Sequence, residues 1–186
     1  MSVGHAAAAV AIIVACGAPA AAQSAVDTFT AIASAKRGGT AATAPVTIAV
    51  VRYATDSDRA QVAAALKERG MPGVTAFLAG QADVGYIEIG GHRQPIRYAS
   101  QMTTASGRLV TVVTAKPLLF VGASLPSAPP REGFDLGIAL LDLNAAGAGT
   151  GELAPAAKVS MDAGGALVIT DYGSTVVWLS GLARAK

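Results

Sequence analysis

The chain predicts an α+β domain dominated by antiparallel β-structure, closed as a barrel or folded as a sandwich. About nine strands are expected, with one helical hairpin inserted after the second. Three observations carry this. Apolar and polar residues alternate with period two over most of the chain. Glycine-containing turns divide the alternating runs. Helical spacing occurs in one place, residues 55–78.

Before the domain lies an expected export segment. Residues 6–15 (AAAAVAIIVA) form an apolar run of ten, the length of a signal-peptide core and short of the ~20 residues of a membrane span. Ala20 and Ala22 give the small-x-small pattern before a cut that leaves Gln23 first, so residues 1–22 read as a signal peptide and residues 23–186 as a single β-rich domain. Ile13-Val14-Ala15-Cys16 also resembles a lipobox, in which Cys16 would be lipidated and tether the domain to a membrane. The expected location is periplasmic or secreted, with a membrane-anchored lipoprotein as the alternative. No transmembrane span is expected in the mature chain.

Residues 27–34 are the first strand and residues 36–44 a basic, glycine-containing turn. Residues 46–53 (VTIAVVRY) form a second strand rich in β-branched residues. Thr55 is placed to cap a helix, with Asp56 and Asp58 in its first turn, where the helix dipole favours acids. Val62, Ala63 and Leu66 give that helix an apolar face, and Gly70 suits its C-terminal cap. A second short helix is expected over residues 72–78.

Strands resume at residues 84–89, turned by Gly90-Gly91. Ile96, Tyr98 and Met102 then alternate with Arg97, Ala99 and Gln101, which predicts one buried face. Ser106-Gly107 marks a hairpin into residues 109–113, with Pro117 at a bulge or edge. Residues 118–121 are a possible continuation, and residues 122–133 read as a proline-containing surface loop. Residues 134–143 form a strand, residues 144–151 (NAAGAGTG) a glycine-rich turn and residues 152–162 another strand. The last two strands are residues 167–172 and 175–182.

Net charge is +2, and acids and bases interleave without a block of either sign. A nucleic-acid binder concentrates Lys and Arg on one face or in one run, so nucleic acid is not an expected partner. Cys16 is the single cysteine, which leaves the expected mature domain without disulfide, thiol nucleophile or cysteine-based metal site.

The stretch Val50-Val51-Arg52-Tyr53-Ala54-Thr55-Asp56-Ser57-Asp58-Arg59, with Val113-Thr114-Ala115-Lys116-Pro117 and Gly147-Ala148-Gly149-Thr150-Gly151-Glu152-Leu153, resembles a group of small exported bacterial proteins of unknown function. That group has an aromatic-Ser-Thr-Asp core followed by an acid and Arg. Here Ala54 replaces the Ser, and Ala115 stands where an acid is expected. The resemblance implies export and supplies no activity.

No motif outweighs a structural reading. His92 lies in a Gly-Gly turn without a nucleophile elbow elsewhere. One histidine and no cysteine after cleavage exclude the usual zinc donor set. Asp142, Asn144 and Glu152 miss the spacing of a calcium loop, and the glycines beside them lack the Lys and helix of a phosphate loop. Arg52, Asp56, Asp58 and Arg59 form the densest charge cluster. Its functional reading is an anion or acid–base patch, and its plainer reading is helix capping. Arg97 is expected on the face opposite Ile96 and Tyr98. Trp178, Tyr98, Phe77 and Phe134 are expected as core anchors.

The ligand-contact candidates are therefore Arg52, Asp56, Arg59, Arg97 and Tyr98. The expected function is a non-enzymatic envelope protein, without cofactor or metal, that binds a small apolar ligand or a protein partner. The alternative is a carboxylate-based hydrolase or isomerase acting through Asp56 and Asp58.

Overall fold

The computed structural model describes residues 26–37, 40–118, 132–164, 167–172 and 176–185. Ala20, Ala22, Gln23 and Cys16 lie outside the described residues, as does most of the expected loop at 122–133. Strand β1 (Asp27–Arg37) pairs along its whole length with β2 (Thr40–Val50). The expected turn at 36–44 is thus mostly strand, because a long ladder satisfies more backbone groups than an open loop would. Helix α1 (Asp56–Ala79) follows. Then come β3 (Gly85–Ile89), β4 (His92–Thr103), β5 (Gly107–Thr114), β6 (Leu136–Asn144), β7 (Ala148–Met161), β8 (Leu167–Asp171) and β9 (Val177–Arg184).

All neighbours are antiparallel, in the order β6-β5-β4-β3-β2-β1-β9-β7-β8. A further β6–β7 pairing joins the two sides, so eight strands close as a barrel and β8 is left outside it. Closure removes the free edges an open sheet would expose.

The barrel interior is packed with side chains, as expected for a small barrel. Phe29, Ile48, Ile87, Ile96, Leu141 and Leu179 are almost wholly buried there, and alanines from β1 fill the narrower spaces. Of the expected anchors, Trp178 is half exposed on the outside of β9. Phe134 stacks edge-on with Tyr172, ring centres 5.6 Å apart. Phe77 and Tyr98 are partly buried in a second apolar cluster, outside the barrel.

That cluster exists because α1 lies against the outer wall. Thr55 caps it as expected: its hydroxyl accepts from Asp58 N (3.2 Å), and the Asp58 carboxylate accepts from Thr55 N (2.9 Å). Thr55→Ala is expected to cost about 1 kcal/mol, read as a small fall in the thermal midpoint. Gly70, with φ of 61°, breaks the helical path two residues before Pro72. This is the break expected between two helical segments, since a left-handed residue followed by proline cannot continue a helix. Met71, just past the break, accepts Val159 N through its sulfur at 3.1 Å and ties the kink to β7.

Two irregularities reshape the sheet. The β4–β5 register shifts between Ile96 and Tyr98. Ile96 and Ala99 therefore both point inward, Tyr98 points outward, and Met102 is exposed. The strict alternation read from sequence fails there because a bulge adds one residue to one strand. The β6–β7 register shifts at Ala154–Ala157. Beyond it β7 leaves the barrel wall and runs on with β8, so that Ala157 and Val159 join the helix-side cluster. The expected turn at 144–151 is also shorter than read. Asn144 Oδ1 accepts Ala146 N and Ala148 N to close it, and Gly149 and Gly151 already belong to β7.

Candidate functional site

The departure of β7 from the barrel creates an apolar space among the described residues. Three walls enclose an apolar groove of about 340 Å3. Val62, Leu66, Val74 and Leu78 line it from α1. Tyr98, Val113 and Ile138 line it from the outer barrel surface. Val159, Met161, Leu167 and Ile169 line it from the β7–β8 flap. Ser100 and Thr111 supply hydroxyls on the barrel side. Burial pushes the Tyr98 phenol above its ordinary value, so the ring enters the groove as a neutral hydrogen-bonding group. A volume of this size and lining is that of a small-molecule pocket. At its rim Met161 is 42% exposed and Leu167 60% exposed, so the apolar surface continues outward from the groove.

The charge cluster read from sequence resolves into two ion pairs. Arg52 pairs with Asp58 at 3.0 Å, and Arg59 with Asp56 at 2.8 Å. Asp58 is held below its ordinary value by the Thr55 backbone N–H, the Thr55 hydroxyl and Arg52. Asp56 projects into solvent. The two carboxylates are thus engaged separately in capping and in an exposed pair, and such pairs stabilise little. Arg97 pairs with Asp83 at 3.1 Å and donates to Gln81 O. Arg52, Asp58, Arg97 and Tyr98 do share a crevice, but it holds only about 10 Å3, roughly the space of a single water. Of the five ligand-contact candidates, Tyr98 alone lines the apolar groove.

The residue that sequence reading missed is Asp27. It is 3% exposed at the mouth of the barrel. Its Oδ2 accepts from Tyr53 Oη at 2.8 Å and from Arg108 Nη1 at 2.9 Å. Its Oδ1 has no aligned hydrogen-bond donor and is met by Arg184 Nε as an ion pair. Burial raises the Asp27 pKa, but hydrogen bonds from Arg108 and Tyr53 and the two guanidinium charges outweigh it and leave it below the ordinary value. Burial and the adjacent carboxylate push the Tyr53 phenol strongly up. The cluster joins the start of β1, the segment between β2 and α1, the start of β5 and the end of β9. These positions run from residue 27 to residue 184, which is why no local motif announces them.

His92 begins β4 at an exposed turn. Among the described residues, no three His, Cys, Asp or Glu side chains gather where they could hold a metal ion, and no helix is long and apolar enough to cross a membrane. No family model, curated protein or solved structure matches the chain, so its chemistry is read from its own residues.

Proposed function

We propose that the protein binds a small apolar ligand in the groove between α1 and the barrel, as a non-enzymatic component of the cell envelope. The observation that carries the reading is the placement of space. The barrel core is filled, while about 340 Å3 lined by aliphatic side chains stays open outside it. Burying an aliphatic body there gains roughly 25 cal/mol per Å2 of apolar surface removed from water. Tyr98, Ser100 and Thr111 would orient any polar end. A second reading, an apolar peptide of an envelope partner laid in the same groove, is favoured by the exposed Met161 and Leu167 at its rim.

Ala63 lies on an exposed part of α1 and borders the groove. Ala63→Trp is therefore expected to fill the groove from the helix side without disturbing the barrel. The expected result is at least tenfold weaker binding of the apolar fluorophore N-phenyl-1-naphthylamine, with an unchanged thermal midpoint. Undiminished probe binding in this variant would remove the groove from consideration. Native mass spectrometry of protein recovered from its own cell envelope separates the two readings by the mass that co-purifies. Intact mass of the same sample tests export, by reporting a Gln23 start, an acylated Cys16 or a retained N-terminus.

A further inference from the structure

We infer that the mouth of the barrel is a separate binding site for a small soluble oxyanion, a phosphate or carboxylate group, held by Arg108 between Arg59 and Arg184. Two clefts flank Arg108. One, of about 340 Å3, is bordered by Arg59, Gln101 and Thr103. The other, of about 390 Å3, is bordered by Arg184, Thr103 and the Asn144–Gly147 turn. Neither lining contains an Asp or Glu, although the chain carries 12 acids against 14 bases. The local excess of positive charge is therefore a product of the fold rather than of composition.

Asp27 explains how the arginines are held. One buried carboxylate faces two guanidiniums, Arg108 and Arg184, which leaves one positive charge uncompensated within that trio. Each guanidinium offers five N–H donors in a planar fork. Arg184 directs Nε to Asp27 and Nη2 to Val26 O, leaving further donors for the cleft. Arg108 uses Nη1 for both Asp27 and Gln101 Oε1. Asp27 sits behind the two clefts and lines neither, so it acts as a positioning residue and not as a competitor for the ligand. Arg59 keeps an exposed counter-ion, Asp56, which an incoming anion can replace at small cost. Planar forks fixed in this way match the two-oxygen geometry of carboxylate and phosphate.

The test is a 15N-resolved titration of the whole chain with inorganic phosphate and with succinate, each against chloride at matched ionic strength. The inference expects saturable shifts at the amides of Gly107, Ala146 and Gly147 with at least one of the two anions. It also expects at least tenfold weaker binding in Arg184→Gln. Arg59→Gln leaves the Asp27 contacts intact and is expected to weaken binding about threefold, so the inference stays testable if Arg184→Gln folds poorly. Lys158→Gln, on β7 away from the mouth, should change nothing. Shifts no larger than those with chloride, or affinity unchanged in both arginine variants, would overturn the inference. So would association only with phosphatidylglycerol vesicles and not with free anions, because that pattern belongs to a charged membrane surface.

Discussion

Asp27→Asn is expected to lower stability at neutral pH by about 3 kcal/mol and to flatten the acid limb of the stability profile. Removing one member of a buried ion pair leaves its partner uncompensated, at a cost of about 3–5 kcal/mol. The low end applies because Arg184 is half exposed and Arg108 retains some solvent. The asparagine keeps the shape and can still accept from Tyr53, so the loss reports charge and not packing. In a domain of this size about 3 kcal/mol corresponds to a midpoint lowered by roughly 6–12 °C. The pH dependence follows from the direction of the shift. Asp27 titrates below its ordinary 3.8 in the folded chain. Its contribution is complete above 3.8 and is lost as pH falls through the lower folded value. Wild type and variant should therefore differ most at neutral pH and converge in strong acid. Thermal melts at stepped pH check this, and a gap that stays constant down to pH 2 would contradict it. The variant should also let the Tyr53 phenol ionise at lower pH, since the carboxylate that opposes its phenolate is gone. Phenolate absorbance reads that shift.

What the sequence made legible was what short-range physics controls. Thr55 with Asp58 three residues on, Gly70 ahead of Pro72, and Gly90-Gly91 between alternating runs each specify a local backbone path, and each is found where expected. The number of strands follows from the same punctuation. The choice of barrel over sandwich does not, because it rests on β6 meeting β7 while β1 meets β9, and pairing partners leave no periodic trace. Tyr98 shows how a small irregularity propagates. One bulge at Arg97 turns a residue expected beside Ile96 into part of the outer wall, and the groove depends on it. The apolar groove lies outside the barrel for a related reason. The β7 residues beyond the Ala154 shift cover the helix instead of the core, and alternation alone does not say which of two apolar layers a strand faces. Asp27 stood in an unremarkable strand, and its importance comes from Arg108 and Arg184 arriving from distant parts of the chain.

Gly149→Ala is expected to be among the most damaging single methyl additions the fold can receive, lowering stability by more than ~3 kcal/mol or preventing folding. Gly149 lies opposite Leu143 in the β6–β7 ladder, the pairing that closes the barrel. A Cβ placed there would come within 1.8 Å of Asp142 O, 2.9 Å of Asp142 C and 3.1 Å of Leu143 Cα. All three neighbours are backbone, so no rotamer change relieves the clash and the strands themselves must part. Overpacking alone costs about 1–3 kcal/mol, and each ladder hydrogen bond opened adds about 1 kcal/mol. The residue reads in sequence as one more turn glycine in NAAGAGTG, which makes the substitution a sharp test of where the turn ends. Gly80→Ala is the control. Gly80 closes α1 with φ of −80°, and its added Cβ would meet nothing nearer than Phe77 O at 3.5 Å. A change within about 0.5 kcal/mol is expected there. Thermal melts of the two variants, with amide exchange at Leu141 and Leu153, separate the outcomes. Exchange at those two positions should accelerate in Gly149→Ala if the β6–β7 closure has opened. Equal, small effects from both substitutions would mean that β6 and β7 do not approach each other as the closed barrel requires.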